Sequence, residues 1–234
     1  KTPTGRVRLS IAFCCGDRLV ASRSRIWSQT VARSTVASAM ALVLAPLWDF
    51  ARPAVSEQRF VAALSEAAGD DSLILRTQVA RTHGLRRDFA RALALLDEMA
   101  PAVALAGPEA RARHALERGR CRVSAAHPRD AVTAVDRDRA RTDYETAATL
   151  AREAGLDALA VDALHMLALV DTVPADQLRR NREALSVALA STQPDARRWE
   201  APLRNNIGLA LHGLGRFDEA LAEFRQAVVL RGLS

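Results

Sequence analysis

The sequence predicts an all-α protein, and three observations support this prediction. Alanine and leucine dominate the 234 residues, and aromatic residues make up only 4%, a composition that favours helices over strands. Apolar residues recur every three or four positions, as in Leu203, Ile207, Leu211 and Leu214, which places them on one face of a helix. Glycine and proline cluster between the periodic segments, where helices are expected to end.

The stretch 201–230 carries the clearest pattern in the chain. A first helix is expected to end in a left-handed turn at 213–215, and a second helix follows. Small residues, Gly208 and Ala220, stand where two helix axes would approach closely, and Phe224 would fill the space between them. This stretch resembles the tetratricopeptide repeat, a helix–turn–helix unit of ~34 residues. The family pattern falls on Arg204, Ile207, Gly208, Leu211, Ala220, Phe224 and Ala227.

Before residue 201, apolar residues recur with a similar helical spacing, but the predicted helix pairs follow one another at less regular intervals. About four helix pairs and one leading helix are expected within 56–231. The predicted helices before residue 201 cover 56–68, 70–84, 88 onward, 109–125, 139–154, 156–170 and 175–190. Ser56 is expected to cap the first of them, and Asp70 and Asp71 the second. The resemblance implies that these pairs form a right-handed α-solenoid of antiparallel helix pairs, whose first helices line a concave groove.

Within that pattern, some positions depart from the family. Arg204 and Leu211 stand where the family has aromatic residues, and Ala188 stands where the last unit has Phe224. The third pair would therefore lack the aromatic wedge between its helices. The segment 127–138 is longer than a usual repeat turn, and it is expected to be a loop or an extra turn of helix that begins at Pro128.

Residues 1–39 differ from the rest of the chain. They contain seven basic residues and one acidic residue and so account for the whole net charge of +6, whereas the remainder has 26 of each sign. Three interpretations stay open: a targeting peptide, a basic tail that touches nucleic acid or anionic membrane, or translated upstream sequence with Met40 as the natural start. A disordered basic leader is expected in each case, followed by an irregular link over 40–55.

Composition and motifs argue against several classes of function. The charge-balanced body is not expected to bind nucleic acid, and the apolar run 40–45 is far shorter than the ~20 residues of a membrane span. Lys1 is the only lysine, and no metal-binding or nucleotide-binding motif occurs, so we expect no enzyme, no catalytic residue, no metal and no cofactor. Few cysteines favour a cytoplasmic protein. Cys121 lies among arginines that would lower its pKa, although an inert buried thiol is the commoner outcome.

The predicted function is a protein–protein interaction scaffold that binds a peptide segment of a partner in the concave groove. Side chains on the first helices, opposite the core, are expected to line that groove. They are Thr77, Arg81, Arg113, Arg120, His165, Leu169, Asn205, Leu209 and His212. Arginine binds carboxylates bidentately, so some preference for acidic residues is expected. Asn205 occupies the part of the helix where an asparagine of the resembled family often holds the peptide backbone.

Two further expectations concern the setting of the repeats. The alternative function is a ligand-sensing regulatory segment of a signalling or transcription system. At the other end of the chain, Val228, Val229 and Leu230 follow the last predicted helix face. Because solenoids need a polar terminal cap for solubility, either more repeats follow or this edge associates with a second copy.

Overall fold

The computed structural model describes residues 42–232, and this part of the chain is all-helical, without a strand. Short 3₁₀ turns occur at Ala45–Leu47 and Arg129–Ala131. The α-helices are α1 (Pro53–Leu64), α2 (Gly69–Leu85), α3 (Phe89–Val103), α4 (Pro108–Arg122), α5 (Ala134–Glu153), α6 (Asp157–Val170), α7 (Pro174–Ala190), α8 (Pro194–Arg197), α9 (Glu200–Gly213) and α10 (Phe217–Leu230). The all-α prediction is therefore confirmed for the described residues, whereas the predictions for 1–39 lie outside them.

Local sequence signals set most of the helix ends. Proline occupies the first turn of α1, α4, α7 and α8, where its missing N–H is not needed. Thr133 and Asp136 form a capping box at the start of α5, which places an extra turn ahead of the predicted start at 139. Left-handed glycines, Gly155 with φ +66° and Gly215 with φ +75°, follow α5 and α9. At these two turns the glycine provides the conformation that ends the helix.

The turn between α2 and α3 is made differently from the prediction. Gly84 was expected to close α2, but the helix continues to Leu85, and Gly84 does not have a positive φ. The left-handed residue is Arg87, with φ 65°. The N–H of Asp88 donates to the carbonyl of His83 at 3.0 Å, as in the glycine-terminated turns. An arginine therefore holds a conformation that favours glycine.

Two predicted caps are wrong. Ser56 lies inside α1, where it is buried and its hydroxyl donates to the carbonyl of Asp49 and accepts from the Asp49 N–H. It anchors the preceding link instead of capping a helix. Asp70 and Asp71 lie in the first turn of α2 without capping it, and the Asp70 carboxylate accepts from the N–H of Gly107 at 2.8 Å. The Ser56 and Asp70 side chains therefore bond to residues outside their own helices, which helix-start patterns do not reveal.

Neighbouring helices pack along the chain to form the core. The largest apolar cluster runs from α4 to α10, a second joins α2, α3 and α4, and a third joins α1 and α2 to the link that precedes them. In that link, Trp48 and Phe50 stack with ring centroids 4.5 Å apart, and Trp48 meets the buried Phe60 edge-on. These aromatic residues lie against α1 and α2.

Close contacts between a glycine and an aromatic ring recur in two helix pairs. A Cβ on Gly119 of α4 would lie 2.5 Å from the ring of Tyr144 in α5, and a Cβ on Gly208 of α9 would lie 2.6 Å from the ring of Phe224 in α10. Only glycine allows the ring to lie this close to the opposite helix. The close approach predicted at Gly208 is confirmed. Tyr144 is fully buried, whereas Phe224 is only partly buried.

The last helix leaves an apolar face exposed. Leu221 and Val228 of α10 are each more than 40% exposed, and Val229 is 64% exposed. Large exposed apolar patches mark interaction surfaces in monomeric proteins. The association of this face with a second copy stays a prediction.

Candidate functional site

A cavity of about 130 Å³ lies where four helices meet, α2, α4, α6 and α9. These are the first helices of the predicted pairs. Five of the nine predicted groove residues line it: Arg81, Arg120, His165, Leu169 and Asn205. Side chains far apart in sequence thus share one cavity, because each helix presents the same face to it.

The polar wall of the cavity is a group of paired charges. Arg120 lies between two carboxylates, with its guanidinium nitrogens 2.5 Å from Glu117 Oε1 and 2.5 Å from Asp162 Oδ1. The side chain of Arg120 is 13% exposed and that of Glu117 is 3% exposed. Burial alone would lower the pKa of Arg120, but Asp162 and Glu117 outweigh it and raise the pKa. Burial acts to raise the pKa of Asp162, and Arg120 and Arg81 bring it below its usual range. Arg120 and Asp162 are therefore both ionised.

Arg81 completes this group from α2. Its guanidinium lies 3.8 Å from Glu117 Oε1 and 5.4 Å and 5.6 Å from the ring centroids of Trp48 and Phe50. Two positive and two negative side chains therefore meet in the cavity wall, and their charges cancel. Cation–π contact with two rings further engages Arg81.

These contacts change the expected role of the arginines. Arg120 was expected to bind a carboxylate of the partner, but its two terminal nitrogens already donate to the internal carboxylates of Glu117 and Asp162. An acidic ligand would have to displace a buried internal carboxylate, which removes the electrostatic reason for an acidic preference. Arg120 is instead a residue that holds α4 against α6.

Amide groups of α9, those of Asn205 and Asn206, also line the cavity. The Asn206 amide nitrogen lies 3.1 Å from Nδ1 of His165, which links α9 to α6. Burial lowers the pKa of His165, so the ring is neutral at pH 7. Asn205 also lines the cavity, and its side chain makes no hydrogen bond to any residue in the described range 42–232. Its donor and acceptor are available to a peptide backbone.

Apolar side chains provide the rest of the lining. Phe89 stacks on His127 with centroids 3.9 Å apart, and Trp199 lies 5.3 Å from the His165 ring. Met166 and Leu169 add flexible and branched aliphatic surface from α6. A few polar groups in an apolar concave surface is the usual character of a binding site.

Four predicted groove residues lie outside the cavity. Thr77 is fully buried and donates to the Ile74 carbonyl, because α2 is packed among α1, α3 and α4. Arg113 pairs with Glu109 at 2.8 Å on its own helix. Leu209 is half-buried, and His212 is exposed and lies edge-on to Phe217 with centroids 5.1 Å apart.

Some residues that line the cavity were not predicted from the sequence. Glu117 and Asp162 lie one turn from Arg120 and His165 on their own helices, so helical spacing was a signal that could have found them. Trp199 precedes α9, and its position depends on how α8 directs the chain. The sequence predicts a helix end at Gly84, and this prediction does not place the residue in a groove lining.

The cavity lining also includes a cysteine, Cys121. Cys121 is buried, as one of the two alternatives for this residue expects, and burial raises the pKa of its thiol to about 12, which disfavours the reactive thiolate. Within residues 42–232 no group of three or more histidine, cysteine, aspartate or glutamate side chains is placed to hold a metal ion. Among the described helices, none has the length and apolar character needed to cross a bilayer.

Known proteins provide no further identification. No protein-family model matches the chain, and neither a curated protein nor a solved structure is significantly similar to it. The resemblance to the tetratricopeptide repeat therefore rests on the residues of this chain.

Proposed function

We propose that this chain is a protein–protein interaction module that binds a peptide segment of a partner in the cavity between α2, α4, α6 and α9. In this proposal the helix pairs are tetratricopeptide-like units stacked in a right-handed solenoid, and the cavity lies in its concave groove. A cytoplasmic location belongs to the same proposal, and the free buried thiol of Cys121 is compatible with it. Ligand sensing in a regulatory system stays the alternative.

The repeated packing of the helix pairs supports the solenoid. Gly119 with Tyr144 and Gly208 with Phe224 place a small residue of a first helix against a ring of the second. This shared packing between a glycine and a ring supports the proposal that the two helix pairs are versions of one repeat. Equivalent faces of successive first helices would then point to the same side, which is what a groove requires.

One observation carries the peptide proposal: an amide without a hydrogen-bond partner among residues 42–232 and an apolar lining share a single cavity. Asn205 offers both a donor and an acceptor, as a peptide unit needs, while Trp199 and Leu169 offer apolar contact. Exposed ion pairs contribute only about 0.2–1 kcal/mol, so affinity has to come from apolar burial combined with backbone hydrogen bonds. The cavity supplies both.

Selection from a random peptide library displayed on phage tests this proposal with the full chain. Selected peptides should perturb the indole N–H signal of Trp199 in nuclear magnetic resonance spectra. A neutral hydrogen bond contributes about 0.5–1.5 kcal/mol, so Asn205→Ala should weaken their binding several-fold. His212→Ala is the matched control, because His212 is a predicted groove residue outside the cavity. Peptides that bind Asn205→Ala as tightly as the wild type would place the binding site elsewhere.

A further inference from the structure

Gly84 lines the cavity without an evident structural need for glycine. It lies within α2, its φ is not positive, and a Cβ built on it would have no atom within 4 Å. Glycine is the least favourable residue in a helix after proline. Alanine would therefore fit the backbone and the space, and the fold alone does not account for the glycine.

Other helical glycines do have such a reason. Gly119 and Gly208 face aromatic rings that a Cβ would contact at 2.5 Å and 2.6 Å. At the end of α2, the residue that needs the left-handed conformation is Arg87. What Gly84 provides is open volume beside Arg81 and Leu85, at the wall of the cavity.

The charge and size of the cavity limit which chemical groups could bind in this volume. Arg81 and Arg120 are balanced by Glu117 and Asp162, so the cavity wall offers no net charge to a charged group. Its volume of about 130 Å³ is close to that of an apolar cavity of about 150 Å³ that binds benzene. Phe89, Met166 and Leu169 supply the apolar contact surface.

We propose that the cavity holds one apolar side chain of the bound peptide, of the size of leucine or phenylalanine, which enters beside Gly84. Asn205 then holds the backbone next to that side chain. This inference rests on the proposed function and adds its specificity: the anchor residue is apolar, and an acidic residue is disfavoured. The glycine keeps the space that the anchor fills.

The test uses small probes with the full chain. N-acetyl-leucine amide, N-acetyl-phenylalanine amide and N-acetyl-glutamate amide are titrated at millimolar concentration while the Trp199 indole signal is followed. The leucine and phenylalanine probes should bind at least about tenfold more tightly than the glutamate probe, because apolar burial dominates. Equal or tighter binding of the glutamate probe would overturn the inference. This comparison needs only the wild-type chain.

Variants at Gly84 then test whether the apolar probes bind beside this residue. Gly84→Leu should fill the cavity and weaken the two apolar probes by about tenfold or more. Ala94→Leu is the matched control, since Ala94 is exposed on α3 and does not line the cavity, and it should bind as the wild type does. Unchanged binding to a folded Gly84→Leu variant would show that the anchor does not enter there.

The outcomes separate this inference from the proposed function. Library peptides that depend on Asn205 but carry no apolar anchor would overturn the inference and leave the peptide function standing. Library selection without any binder, together with tight binding of the leucine probe, would overturn both and favour the ligand-sensing alternative. Apolar enrichment in peptides that depend on Asn205 supports both.

Discussion

The three glycines that lie inside α2, α4 and α9 should respond in opposite ways to the same substitution. Gly84→Ala places a methyl group in open space, whereas Gly119→Ala places it 2.5 Å from Cε1 of Tyr144. Non-bonded carbons ordinarily lie about 3.5–4.0 Å apart. The ring or the helix would therefore have to move by about 1 Å, and Tyr144 is fully buried with its hydroxyl donating to the Val123 carbonyl at 2.6 Å.

The expected free energies follow from two effects. Alanine in place of a helical glycine stabilises by about 0.5–1 kcal/mol, and this is the whole effect at Gly84. Overpacking costs about 1–3 kcal/mol, so the net loss of stability in Gly119→Ala should lie between about 0 and 2.5 kcal/mol. Gly208→Ala should lose less than Gly119→Ala, because Phe224 is only partly buried and can move outward. In a chain of this length 1 kcal/mol shifts Tm by about 2–4 °C.

Thermal unfolding followed by circular dichroism measures these shifts. We expect Tm to rise for Gly84→Ala and to fall for Gly119→Ala, with Gly208→Ala between them. The double variant Gly119→Ala with Tyr144→Leu removes the clashing ring, so its loss should be smaller than the sum of the two single losses. Equal shifts for all three alanine variants, or strict additivity in the double variant, would refute the packing described for α4 and α5.

The remaining predictions address charge, turn geometry and pH. Arg120→Met should destabilise the fold by about 3–5 kcal/mol in urea unfolding, because it removes the ion-pair partner of the buried Asp162 carboxylate and leaves Glu117 only the more distant Arg81, at 3.8 Å. Arg87→Gly should stabilise by about 1 kcal/mol, since glycine adopts the observed φ of 65° without steric cost. Phe224→Ala should cost less than the about 3–5 kcal/mol of a fully buried phenylalanine. Burial lowers the pKa of His114 from 6.5 although its ring bonds to the Leu96 carbonyl. The unfolded chain then takes up this proton at higher pH, so stability is complete above pH about 6.5 and is lost as pH falls through the lowered pKa, by at most about 1.4 kcal/mol per unit. His114→Gln should flatten that slope, and an unchanged slope between pH 7 and 5 would contradict the assignment.

Helical periodicity predicted the helices well because it reports which face of each segment is buried. The predicted range 156–170 and the helix Asp157–Val170 differ by one residue at the start. The short helix α8, Pro194–Arg197, lies outside the predicted helix ranges. A single helical turn is too short to show a period. The prediction that Ser56 caps α1 is wrong because its hydroxyl bonds to the backbone of Asp49 in the preceding link.

The candidate site was predictable in position and not in charge state. Periodicity places Arg81, Arg120 and Asn205 on equivalent faces of successive helices, and the structure brings these three residues to one cavity. Whether an arginine is available depends on its partner, and Asp162 lies 42 residues from Arg120 in the sequence. Thr77 obeys the same helical register, but the helices packed around α2 bury it. Helical register determines the direction in which a side chain points, whereas the packing of neighbouring helices determines whether that side chain is buried, paired or free.

The polar groups of the cavity wall also fix the positions of the helices that form the cavity. Arg81, Arg120 and Asp162 link α2, α4 and α6 through the Glu117 carboxylate and direct ion pairs, and Asn206 joins α9 to His165 of α6. Apolar contacts tolerate small sliding of one helix along another, whereas a paired guanidinium fixes its partners in distance and orientation. Replacing the whole cluster by apolar residues of similar volume need not destabilise the fold, but it would free these helices to move relative to each other. The cluster therefore acts on the geometry of the cavity, and a chain that lacks it should lose discrimination between anchors of different size before it loses stability.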